Sequence, residues 1–156
     1  MKKQLFIVTL FVIISACSTV KKLPATVAGA SRARFVGNWT LTSVSYDGLL
    51  SGSVQSLFNQ DAPENFKGST WKLTNSGNGS FTLVNAPPQN IFWSYNKDNG
   101  EIFQFKKLYQ GDSAGKVQMG YQLMVDNIDD NHMVLKSPVT LGNKTAYVVL
   151  HFDKLP

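Results

Sequence analysis

From Lys116 to Val125 the chain reads KVQMGYQLMV, so Val117, Met119, Tyr121, Leu123 and Val125 alternate with Lys116, Gln118, Gly120, Gln122 and Met124. Apolar residues at every second position line one face of an extended strand, whereas an amphipathic helix repeats about every 3.6 residues. The alternation recurs in Trp39/Leu41, then after a one-residue slip in Val44/Tyr46, and again in Trp71/Leu73, Phe81/Leu83 and Ile91/Trp93/Tyr95. Phe103/Phe105, Met133/Leu135 and Ala146/Val148/Leu150/Phe152 continue it, giving eight candidate strands with the 117–125 stretch. The slip between Leu41 and Val44 is the mark of a β-bulge.

Turn chemistry separates these strands. Gly77-Asn78-Gly79, Asp98-Asn99-Gly100, the DNIDDN run at 126–131 and Gly142-Asn143 supply residues that tolerate the positive φ of tight hairpins. Short links between neighbours imply an antiparallel meander, and closing a meander on itself removes its exposed edges. The expected fold class is therefore all-β, an eight-stranded antiparallel up-and-down barrel. One link is long. Residues 47–68 hold Val54, Leu57, Phe58 and Phe66 at spacings that predict a short helical segment ending before Pro63. Apolar residues in so long a loop predict packing over one end of the barrel.

The N-terminus has a different grammar. Lys2 and Lys3 precede an apolar run at 5–14, too short to span a bilayer stably, which ends in Ile14-Ser15-Ala16-Cys17. This order resembles the lipobox of bacterial lipoproteins, in which the cysteine is acylated and becomes the new N-terminus. The resemblance implies a signal peptide at 1–16, lipid (palmitate) attachment at Cys17, a tether at 17–34 and a barrel domain at 35–156. Acyl chains anchor strongly, since each buried CH₂ contributes about 0.8 kcal/mol. Cys17 is the sole cysteine, so the domain has no internal disulfide and no thiolate metal site. Loss of Lys2 and Lys3 lowers the net charge from +5 to +3, too little to argue for nucleic acid as a partner.

Gly37-Asn38-Trp39 at the head of the first strand resembles the Gly-x-Trp signature of lipocalins. Together with FVGNWTLTSVSYDG, FKGSTWKLTNSGNGSFTL and VVLHFDKLP, it makes the chain similar to lipocalin-like lipoproteins of bacterial envelopes over residues 35–156. Gly37 allows a tight turn into the strand, and Trp39 offers a large apolar surface to plug the closed end. The resemblance implies a basic side chain lying across that indole. No arginine follows Arg34, so Lys154 takes the place of the family's arginine. The second lipocalin motif is missing, and Asn65 stands before Phe66 where a cysteine is frequent in such proteins.

Gly111-Asp112-Ser113-Ala114-Gly115 fits the nucleophile-elbow pattern, yet it precedes an alternating strand instead of a helix, and only His132 and His151 offer a base. An enzyme is not expected. Neither histidine has a ligand partner at metal-site spacing, so no metal and no cofactor are expected. The remaining site is the barrel interior, with Trp71, Trp93, Tyr95, Phe103, Phe105, Met119, Tyr121 and Leu123 as its candidate lining. Such a lining suits a small hydrophobic or amphipathic ligand, with residues 47–68 as a lid. The alternative is a filled barrel that serves as a protein-interaction or envelope-assembly module, since eight strands enclose a bore that side chains alone can fill. Ser18 after the cysteine resembles the pattern sorted to the outer membrane, and the absence of an acidic run there favours a periplasm-facing position.

Overall fold

A computed structural model describes residues 29–98 and 100–156. The expected leader and Cys17 lie outside the described residues, as do most of the tether and Asn99. The alternating segments form β1 (Gly37–Asp47), β2 (Thr70–Leu73), β3 (Asn78–Thr82), β4 (Gln89–Asn96), β5 (Ile102–Leu108), β6 (Tyr121–Ile128), β7 (His132–Leu141) and β8 (Lys144–Lys154). Each strand pairs antiparallel with its sequence neighbour, and β1 pairs with β8, so the sheet closes into an eight-stranded up-and-down barrel of lipocalin-like architecture. The bulge falls where the sequence slips, between Leu41 and Ser43 opposite β8.

Four boundaries differ from the sequence expectation. β6 starts at Tyr121, not Val117, because its ladder with β5 begins only at the pair Phe105–Tyr121. It then runs on to Ile128 through a second bulge between Val125 and Asn127, which returns Ile128 to the interior. The last residues assigned to the expected tether are ordered against the barrel. Ser31 precedes a single helical turn, α1 (Arg32–Phe35), which packs under the barrel with Ala30 and Phe35 buried. In the long link, the helical segment is a 3₁₀ turn at Pro63–Phe66, starting at the proline instead of stopping before it. Proline suits the first helical position, where its missing N–H is not needed.

Glycines matter at two points. At Gly37 φ is +143° and a Cβ would meet Lys154 Cε at 2.7 Å, so a side chain there would push the lysine off the β1 entrance. At Gly77, with φ +94°, a Cβ would meet the Phe92 ring at 2.9 Å and the Trp93 carbonyl at 3.0 Å. Gly77 alone supplies the positive φ of the β2–β3 hairpin; Gly79 is already part of β3.

Candidate functional site

The barrel bore is occupied by side chains from its own wall. Trp71, Trp93, Phe103, Phe105 and Leu123 are each at most 2% exposed, and Tyr95 and Tyr121 are half-buried against them. Trp71 stacks on Phe81 at 4.8 Å between ring centroids, Trp93 on Phe103 at 5.8 Å, and Phe105 tilts against Tyr121 at 5.1 Å. Met119 is the exception among the expected lining residues. It stands in the 109–120 loop before β6 begins, 63% exposed, because it has no opposing strand to turn it inward.

At the N-terminal end the expected plug, Trp39 with Lys154, is joined by Phe35 and Arg32, which the sequence pattern did not single out. Phe35 is fully buried between Tyr95 at 4.9 Å and Phe103 at 5.5 Å. Its carbonyl accepts the Trp39 indole N–H at 2.8 Å, so the plug and the turn below it hold each other. Lys154 Nζ lies 5.1 Å from the Trp39 ring, and the Arg32 guanidinium covers Trp93 at 4.3 Å. A half-exposed cation–π contact is worth about 0.5–1 kcal/mol, so Lys154→Ala is expected to lower the denaturant midpoint only slightly.

At the same end Glu101 is 9% exposed, and its Oε2 is buried with no hydrogen-bond partner among the described residues. Burial raises its pKa. Between the ordinary carboxylate pKa and the raised one, the folded protein holds a proton that the unfolded chain has released, so the Glu101 contribution to stability falls as pH rises through that interval and stays lost above it. Glu101→Gln is expected to raise the melting temperature at about pH 7, with the gain shrinking toward about pH 4 where both states are protonated. Thermal scans at the two pH values check this, and a gain that does not shrink contradicts it.

The opposite end is crossed by the long link between β1 and β2. Its 3₁₀ turn is held at the rim by the Tyr46 hydroxyl, which donates to Glu64 Oε1, and by Phe66, which is fully buried. That bond holds the Glu64 carboxyl below its ordinary range; burial, reinforced by the carboxylate, pushes the Tyr46 hydroxyl up to about 12. Upstream, Leu57 and Asp61 bridge a tight turn whose tip inserts Phe58 into the mouth. Phe58 is 5% exposed and meets Phe105 at 5.0 Å, Tyr121 at 5.3 Å, Phe66 at 5.6 Å and Trp71 at 6.2 Å, all edge-on. Both Phe58 (φ 55°) and Asn59 (φ 48°) occupy the left-handed region. A bulky side chain there costs about 1–2 kcal/mol, so the plug sits in strained backbone.

Beside Phe58, the alternation of β5 carries on past Phe105 and turns Lys107 inward. This lysine is 7% exposed; its Nζ donates to the Asn59 carbonyl at 3.2 Å and to Gln60 Oε1 at 3.0 Å. It lines an opening of about 290 Å³ with Asn59, Tyr109, Asp112, Met119 and Tyr121. A larger recess of about 600 Å³ lies outside the wall, where Ser94, Gln104, Lys106 and Gln122 face the 113–120 part of the loop.

Ser113 of the elbow-like motif is exposed in that loop, which turns back through Asp112 N–H to the Tyr109 carbonyl and Lys116 N–H to the Ser113 carbonyl. The histidines lie elsewhere: His151 Nε2 is 2.9 Å from Ser45 Oγ, and His132 Nδ1 is 3.3 Å from Asp129 Oδ1. Among the described residues no cluster of histidine, cysteine, aspartate or glutamate has the arrangement of a metal site. No protein-family description, curated protein or solved structure matches this chain.

Proposed function

We propose that this protein is a lipid-anchored envelope barrel that binds a small amphipathic molecule in the mouth of its bore. In this reading Cys17 carries the acyl anchor, and the domain faces the periplasm from the outer membrane. The observation that carries it is the origin of Phe58. Trp71, Phe81, Trp93, Phe103, Phe105 and Tyr121 come from strands of the closed sheet, and Phe35 and Phe66 from short helical turns at its two ends, whereas Phe58 comes from a loop turn whose own backbone is left-handed and strained. A ring inserted this way is exchangeable: withdrawing the turn vacates an apolar slot between Phe66, Trp71, Phe105 and Tyr121 without opening a single ladder of the barrel.

The test is a titration of the acylated protein in nanodiscs with phenylbutanol, followed by saturation-transfer NMR. Weak binding is expected for the natural chain. Binding about tenfold tighter or more is expected for Phe58→Ala, where the ligand no longer competes with about 1.5–3 kcal/mol of buried ring. If phenylbutanol binds neither protein, the barrel is not a ligand site. A second reading, an interaction module, is favoured by the recess outside the wall. A photo-crosslinker at Gln122 that joins a partner protein equally well in the Phe58→Ala protein supports that reading.

A further inference from the structure

Resting on the reading of the mouth as a ligand site, we infer that the ligand carries an anionic head bound by Lys107, and that Asn59 and Gln60 occupy the head's place while the barrel is closed. A buried ammonium requires oxygen partners. Lys107 has three N–H donors and spends two of them on neutral acceptors, the Asn59 carbonyl and the Gln60 side-chain amide. Among the described residues no carboxylate oxygen lies within 4.0 Å of its Nζ.

Both acceptors belong to the two residues that directly follow Phe58. The movement that withdraws the Phe58 ring therefore also strips Lys107 of both oxygens. It leaves an empty apolar slot and an unpaired cation side by side. The Tyr121 ring adjoins both, lying 5.3 Å from the Phe58 ring and 6.0 Å from Lys107 Nζ. A molecule that restores both losses at once carries a ring or short chain at one end and an anion at the other. The loop thus mimics its ligand, with the phenyl group standing for the tail and the two oxygens for the head.

One acidic group faces the same opening. Asp112 lines it, with Oδ2 accepting the Tyr109 N–H at 2.8 Å. With one cation and one nearby carboxylate, the site suits a singly charged head better than a doubly charged one, so a carboxylate is favoured over a phosphate monoester.

The test compares phenylbutyrate, phenylbutanol and phenyl phosphate in the same nanodisc titration. In the Phe58→Ala protein, phenylbutyrate is expected to bind about tenfold more tightly than phenylbutanol, the gain of a charge-assisted bond over a neutral one. Adding Lys107→Met is expected to erase that preference while phenylbutanol still binds. Asp112→Asn, an exposed change that leaves Lys107 in place, is expected to tighten phenylbutyrate severalfold and leave phenylbutanol unchanged. Tighter binding of phenyl phosphate than of phenylbutyrate keeps the anionic head and assigns it to phosphate. Equal affinity for acid and alcohol, or a preference that survives Lys107→Met, overturns the inference and leaves the ligand reading standing. Binding of none of the three probes overturns both.

Discussion

Trp39→Ala is expected to cost about 3–5 kcal/mol of folding stability, the range for deleting a buried aromatic ring, and to leave little folded protein at physiological temperature. Trp39 is fully buried, pairs with Trp71 on one side and with Lys154 on the other, and its indole bonds to the turn that carries Phe35. Removing it opens the seam where first and last strands meet and leaves the Phe35 carbonyl without its donor. The lower seal would then lose two rings for one substitution. Urea unfolding followed by far-UV circular dichroism measures the loss. A midpoint near that of the natural protein would show that the N-terminal plug does not hold the barrel closed, and Lys154→Ala provides the mild comparison.

The alternation of apolar residues made the barrel legible because each strand has one dry face, and the run of hairpin residues made its order legible. Even the bulge after Leu41 is written in the slip from Leu41 to Val44. The same signal misled at Val117 and Met119, where the alternation continues past the last paired residue into a loop. A one-dimensional pattern carries no information about where the opposing strand stops. At DNIDDN the reverse happened, since a bulge carries the strand through residues that favour turns.

The site was only partly readable, for a different reason. Trp71, Trp93, Phe103 and Phe105 identify themselves as lining by their alternation, but nothing in that pattern says whether rings on opposite walls leave space or meet. Phe58 was recognisable as an apolar residue in a polar link; its insertion depends on two successive left-handed residues that no propensity favours for phenylalanine. Lys107 was the missed signal. Phe103, Phe105 and Lys107 sit at alternate positions, so the period that assigns the two rings to the interior assigns the lysine there as well.

Phe58→Ala is expected to behave unlike any wall substitution. Its ring has four aromatic neighbours, so truncation forfeits burial comparable to that of other core positions. The cost is nevertheless capped. Phe58 hangs on a link tied to the barrel by the Phe66 anchor and the Tyr46–Glu64 bond on one side, and by the Lys107 contacts beside it. Once the turn at 57–61 lets go, no further loss reaches the strands, so global stability falls by less than for Trp39→Ala, about 1–2 kcal/mol. The signature lies in the loop. Amide hydrogens such as Leu57 N–H, bonded to the Asp61 carbonyl at 2.7 Å, should exchange at least about tenfold faster, while those of β4 and β5 keep their protection. If loop and strand amides accelerate together, Phe58 is an integral part of the core, and the mouth has no independent motion with which to admit a ligand.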